Sequence, residues 1–155
     1  MACFNVGNRI INPNFTPWGK KGCKIPSSLF FYFDDGDVST FSGDWIVTSN
    51  KAYEGTNSYR SQAIDDDQIS ETTITRKCNY LSFYYYCSSE ENYDFFRFYI
   101  DGTEMFNDSG ESASWIFKEY ELTKAEHTFQ WEYSKDSSAS GGDDCVYIDN
   151  VKIVV

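Results

Sequence analysis

The sequence is poor in the residue types that most enzyme chemistry needs. It has one histidine, His127, in 155 residues. A Ser/His/Asp or Cys/His relay uses imidazole as its base, so any such reading would rest on that one side chain. His127 opens the run HTFQWEY, where a ring that fixes a strand end or packs on an aromatic is the expected role. No G-x-S-x-G elbow and no glycine-rich phosphate loop occurs. The cysteines (Cys3, Cys23, Cys78, Cys87 and Cys145) form no C-x-x-C pair, which argues against zinc. Positive charge is also scarce, with 13 Lys+Arg against 24 Asp+Glu and a net charge of −11 at pH 7. Such a chain repels phosphate backbones and anionic lipid, so nucleic acid and membrane insertion are not expected partners. No run of about eighteen apolar residues exists to form a membrane-spanning helix. The reading is of a chain that is not an enzyme.

What is abundant is aromatic surface: 13 Phe, 12 Tyr and 4 Trp, 19% of the chain. Aromatic residues favour strands. From Leu29 onward short apolar runs recur between turn signals, at 29–33, 45–49, 58–64, 70–76, 80–87, 94–100, 115–122, 127–134 and 145–154. Phe129, Trp131 and Tyr133 alternate with Thr128, Gln130 and Glu132, the pattern of a strand with one buried and one wet face. No apolar stripe of helical period runs beyond about two turns; Lys118 to His127 comes nearest. About nine short strands predict an all-β fold, a two-sheet antiparallel β-sandwich of jelly-roll type, over residues 29–155.

Residues 1–28 differ. They hold the three prolines (Pro13, Pro17 and Pro26), Gly19, Gly22 and the basic cluster Lys20, Lys21 and Lys24. They read as an irregular N-terminal arm. Either it is loosely draped, or it docks on a neighbouring subunit through buried-type residues such as Phe4, Phe15 and Trp18. Cys3 and Cys23 are candidates to pair across it, whereas Cys87 and Cys145 read as small core residues. The opening MACFNVGNRIINPNFTPWGKKGCKIP has no visible signal peptide. Either a signal has been removed from this sequence, or export takes another route, such as assembly into a virus particle.

A family pattern accompanies these signals. Phe33-Asp34-Asp35-Gly36, Trp45 and Tyr53-Glu54-Gly55-Thr56-Asn57-Ser58 resemble the start of MAM-like bacterial adhesion domains. Ser88-Ser89-Glu90 with Tyr93-Asp94, then Phe98-Tyr99-Ile100-Asp101-Gly102, is similar to their central hairpin. Ser109-Gly110-Glu111 with Trp115, then His127 to Asp136, and last Asp144-Cys145-Val146-Tyr147-Ile148-Asp149-Asn150-Val151, are similar to their later strands. The resemblance covers roughly residues 30–155. It implies a concanavalin-like or galactose-binding-like jelly roll, a non-catalytic module of cell-surface, secreted or phage-particle proteins.

The resemblance also makes the first and last strands neighbours. Asp34, Asp35, Asp144 and Asp149 would then converge at one end of the sandwich. Clustered carboxylates repel unless a cation neutralises them, and calcium prefers such oxygen ligands. The competing reading is of solvated turn residues. By strand parity Ser82, Tyr84 and Tyr86 share a face opposite Leu81, Phe83, Tyr85 and Cys87. Phe95, Arg97 and Tyr99 likewise oppose Phe96, Phe98 and Ile100. If the two strands are adjacent, Tyr84, Tyr86, Arg97 and Tyr99 line one exposed surface for a glycan or a surface protein. Two functions follow. One is an extracellular adhesion module that recognises a glycan or surface protein. The other is a virion structural or decoration protein that docks on capsid or tail subunits through its arm.

Overall fold

Long strands that pass from one layer into the other organise the molecule. The computed structural model describes residues 28–155 and, as backbone, strands β1 (Phe4–Val6) and β2 (Arg9–Ile11), which pair antiparallel. The expectations for the side chains of Phe4, Phe15, Trp18, Cys3 and Cys23 lie outside the described residues. Nine further strands follow: β3 (Ser28–Phe31), β4 (Ser42–Gly43), β5 (Ile46–Thr48), β6 (Ser58–Arg60), β7 (Ile69–Ser88), β8 (Phe95–Ile100), β9 (Thr103–Asp108), β10 (Ile116–Ser134) and β11 (Cys145–Val154). No helix occurs among the described residues, as the sequence predicts.

The runs expected at 70–76 and 80–87 are two halves of β7, which has 20 residues. Those at 115–122 and 127–134 are halves of β10, which has 19. The two strands pair along their whole lengths, with a register shift between Glu121 and Ala125. Leu122, Thr123 and Lys124 there stand opposite Asn79 alone, and surplus residues of this kind bend a strand. The polar stretch Arg76-Lys77-Cys78-Asn79 is therefore a corner between layers rather than a break. Strand β9 carries few apolar residues and is exposed along much of its length, so it gives little periodic signal.

Ring contacts demonstrate the fold-over. Thr72 on β7 pairs with Trp131. Phe83 lies eleven residues further along β7, about 36 Å away if the strand were straight. Its ring nevertheless meets Trp131 edge-on, with centroids 5.5 Å apart. One layer comprises β5-β6-β11, the second half of β7 and the first half of β10, with β3 also on β11. The other comprises β4, the first half of β7, the second half of β10, β8 and β9. Phe83, Phe98, Phe129, Trp131, Leu81 and Ile148 pack between the layers with no appreciable exposure. Each such side chain gains about 1.5–3 kcal/mol from burial.

His127 sits at the corner. Its Nε2 is 2.8 Å from the Thr123 carbonyl inside the bulge, and its Nδ1 is 2.7 Å from Asp101 Oδ2 in the β8–β9 turn. The ring thus ties the bend of one strand pair to the neighbouring hairpin. Cys78, Cys87 and Cys145 are free and buried. Burial pushes the Cys87 thiol up to about 12. Strand β3 pairs with β11 antiparallel, with Ser28 opposite Val154 and Phe31 opposite Val151.

Candidate functional site

Alternation along β7 divides its aromatic run. Leu81, Phe83, Tyr85 and Cys87 are buried between the layers, while Tyr84 and Tyr86 turn to the outer face of the first layer and are half-buried. On β10, Phe117 pairs with Tyr84 and is 45% exposed. On β11, Tyr147 pairs with Tyr86 and Asp149 with Tyr84. Both β11 residues share the outer face but are buried, because the segment 49–57 between β5 and β6 folds back over them.

Two carboxylates anchor that segment. Asp149 Oδ2 accepts the backbone N–H of Tyr53 (2.8 Å) and of Glu54 (3.1 Å). Asp149 Oδ1 accepts the N–H of Asn150. Asp34 Oδ1 accepts the N–H of Thr56 (2.8 Å) and of Asn57 (3.0 Å). Gly55 lies between these anchors with φ +73°, and a β-carbon there would come within 2.0 Å of Asp34 Oδ2. Only glycine lets the backbone wrap the carboxylate so closely. Burial pushes Asp149 up to about 6, while the Thr56 N–H bond leads in holding Asp34 below the usual carboxylate range.

The anchored segment delivers Tyr53 to the outer face. Its ring stacks on Tyr84 with centroids 3.6 Å apart and planes 13° from parallel. Phe117 continues the platform, 4.9 Å from Tyr84. Trp115 stands steeply against both Tyr53 (6.1 Å, 69°) and Tyr86 (6.0 Å, 63°) and forms a side wall. Lys51 Nζ lies 3.6 Å above the Tyr86 ring and within 3.8 Å of Glu111 and Asp143. Tyr86 Oη donates to Glu111 Oε1 at 2.7 Å, which raises the phenol above its ordinary value. Apolar ring faces bordered by hydrogen-bonding groups thus make one partly exposed surface.

The expected grouping of Tyr84, Tyr86, Arg97 and Tyr99 needs correction. The parity of each strand is as the sequence predicts, but β8 pairs with β10 and not with β7. Phe83 and Phe98 meet in the core at 4.9 Å, so the side chains next to them point away from each other. Tyr84 and Tyr86 lie on one outer face of the sandwich, and Arg97 and Tyr99 on the other. Arg97 there contacts Ser134, Glu132 and Glu104, and its guanidinium lies over Phe95. Tyr99 Oη is 3.5 Å from Glu132 Oε1. That face is a polar network rather than a ring platform.

The four acidic residues expected to converge also divide. Asp34 and Asp149 do meet at segment 53–57, because β3 and β11 are neighbours. Asp144 precedes β11, five residues from Asp149, or about 17 Å of extended chain. It accepts from Tyr133 Oη at 2.7 Å and pairs with Lys135 Nζ at 2.6 Å. Asp35 Oδ1 accepts the N–H of Asp37 in an exposed turn.

Tyr53, Trp115, Phe117 and Lys51 are absent from the residues chosen by sequence. Phe117 was legible, since it alternates with Ile116 and Lys118 on a strand. Tyr53 and Lys51 occupy a turn-rich segment with no period to place them.

No family model matches the sequence, and no curated protein matches it. Solved structures do match. The K3 cleaved adhesin domain of Lys-gingipain from Porphyromonas gingivalis W83 is similar over 82% of this chain and 98% of that one, with a TM-score of 0.58 and 10% identity. The carbohydrate-binding module TmCBM27, reported for specific mannan recognition, is similar over 82% and 97%, with a TM-score of 0.51 and 13% identity. The secreted serine protease VesC from Vibrio cholerae is similar over 75% of this chain, with a TM-score of 0.55 and 12% identity; this chain spans 25% of that protein's length. At such identities the likeness is one of fold, an all-β sandwich found in adhesin domains and carbohydrate-binding modules.

Proposed function

We propose that this chain is a non-catalytic, extracellular binding module that recognises a glycan on the face built by Tyr53, Tyr84, Tyr86, Trp115 and Phe117. The observation that carries this reading is the Tyr53–Tyr84 stack continued by Phe117 and bounded by Trp115. Sugar rings have apolar faces that such side chains can cover, while their hydroxyls need polar partners at the edge. Lys51, Glu111 and Asp143 provide donors and acceptors there. The shared fold with adhesin domains and carbohydrate-binding modules supports the same class of partner. MAM-like kinship is the finer form of this reading and rests on the sequence resemblance. A virion component that docks through residues 1–28 is a separate reading whose docking residues lie outside those described.

The test is a glycan array followed by calorimetry with the glycans it selects, using manno- and galacto-oligosaccharides as first probes. Trp115→Ala and Tyr53→Ala should each weaken binding at least tenfold, about 1.4 kcal/mol. Arg97→Ala on the opposite face should leave it unchanged. Folded protein that binds no glycan, or binding lost with Arg97→Ala and kept with Trp115→Ala, would overturn the assignment.

A further inference from the structure

At the end of the sandwich where β7 passes into β8, three carboxylates meet, two of them with an oxygen that has no hydrogen-bond donor among the described residues. Glu90 and Asp94 bracket the turn between those strands, and the Asp94 N–H closes it on the Glu90 carbonyl at 3.2 Å. Asp136 follows β10, and the pairing of Phe95 with Ser134 brings it alongside. A carboxylate oxygen from each residue lies within 4.8 Å of those from the other two. Asp94 is fully buried, at 0% exposure. Its Oδ1 accepts the Asp136 N–H at 3.0 Å, but its Oδ2 has no donor among the described residues. The same is true of Glu90 Oε2, which is also shut off from the surface. Buried acceptors are almost always satisfied, and two orphan carboxylate oxygens in one cluster call for a cation or a shared proton.

The lysine nearby makes its hydrogen bonds elsewhere, although its charge is felt by Glu90 and Asp94. Lys135 Nζ donates to Asp144 Oδ2 and Ser140 Oγ, both at 2.6 Å, with Asp66 at 3.7 Å. Burial leads in raising Glu90 and Asp94 above the ordinary carboxylate range, against the Lys135 charge and, for Asp94, the Asp136 N–H bond, which lower them. The surrounding backbone is set to hold the group. Ser89 Oγ donates to the Asp94 carbonyl at 2.8 Å, and the Ser138 N–H donates to Asp136 Oδ1 at 3.0 Å. Gly141 packs so closely on Glu90 that a β-carbon there would fall 2.9 Å from its Cα.

We propose that Glu90, Asp94 and Asp136 bind a calcium ion that ties the β7–β8 turn to the segment following β10. All-oxygen, carboxylate-rich ligation in an irregular turn suits calcium better than a soft transition metal, and better than magnesium, which demands near-octahedral geometry. The site is separate from Asp34 and Asp149, which accept backbone N–H groups of segment 53–57, and it does not rest on the glycan reading.

The experiment is calcium calorimetry and thermal unfolding on this chain after chelator treatment, compared with Asp94→Asn and Glu90→Gln. Calcium should raise the melting temperature of the wild-type protein, because an ion bound only by the native state stabilises it. Each variant should bind at least tenfold more weakly and lose most of the rise. Without calcium, both should melt no lower than the wild type, since they remove an unpartnered charge while keeping the shape. Should Asp94→Asn not fold, the comparison is read on Asp136→Asn, whose side chain is only half-buried. No calcium binding by the wild type at millimolar concentration would overturn the proposal. So would binding that survives unchanged in these variants, which would place the ion elsewhere.

Discussion

Tyr53 lies ring on ring with Tyr84 at 3.6 Å, so a residue from a loop and a residue from a central strand form one platform. The strand supplies rigidity, and the loop is held by carboxylates rather than by an apolar core of its own. The outer face therefore depends on two acidic residues, Asp34 and Asp149, that hold the backbone of the loop.

Gly55→Ala is expected to destabilise the domain by about 1–3 kcal/mol, the usual cost of forcing a side chain into a left-handed backbone position. It should also weaken glycan binding, because it displaces the segment that carries Tyr53. Urea unfolding and calorimetry on the same variant check both. Unchanged stability would show that the contact with Asp34 relaxes without cost.

Asp149→Ala should cost about 2–4 kcal/mol. It leaves the N–H groups of Tyr53, Glu54 and Asn150 without their acceptor in a buried setting. Asp149→Asn keeps an oxygen in place and should cost less than half as much. Urea midpoints for the two variants, measured side by side, decide this.

Stability should be greater at pH 5 than at pH 8. Asp149, raised to about 6, contributes stability that is complete below its unfolded value and is lost as pH climbs through about 6. His127 is raised above 6.5, chiefly by its bond to the Thr123 carbonyl and then by Asp101, so its contribution is lost at a still higher pH. Asp34 and Asp101 are depressed, and their contributions disappear only when pH falls below the normal aspartate range. His127→Gln should flatten the upper part of the curve. Thermal unfolding from pH 3 to 9 measures it; a maximum at or above pH 8 would contradict the argument.

Trp131→Ala should cost about 3–5 kcal/mol, because the ring is fully buried, packs on Phe98 and Phe41, and meets Phe83 of the other layer. A loss below about 1 kcal/mol by chemical denaturation would mean that the layers are not joined there.

Parity was legible in the chain. The alternation from Tyr80 to Cys87 and from Phe95 to Ile100 places every ring on its observed side. Which strands lie side by side is not, since adjacency depends on pairing between distant segments; parity alone does not separate Tyr84 and Tyr86 from Arg97 and Tyr99, which lie across the full thickness of the sandwich. The meeting of Asp34 with Asp149 followed from neighbouring first and last strands. Asp144 was misplaced because closeness in sequence to Asp149 means distance along an extended strand. Glu90, Asp94 and Asp136 carried no spacing signal, as their approach is made by the β8–β10 pairing.

Ser28 opposite Val154 has a mechanical meaning. Strand β3 begins and strand β11 ends at the same end of the sandwich, side by side and running in opposite directions. A pull on both would open the β3–β11 ladder one bond at a time, like a zip, instead of loading all its bonds together. The domain should therefore yield first at this seam under tension, while the layers behind it stay clasped by the two strands they share.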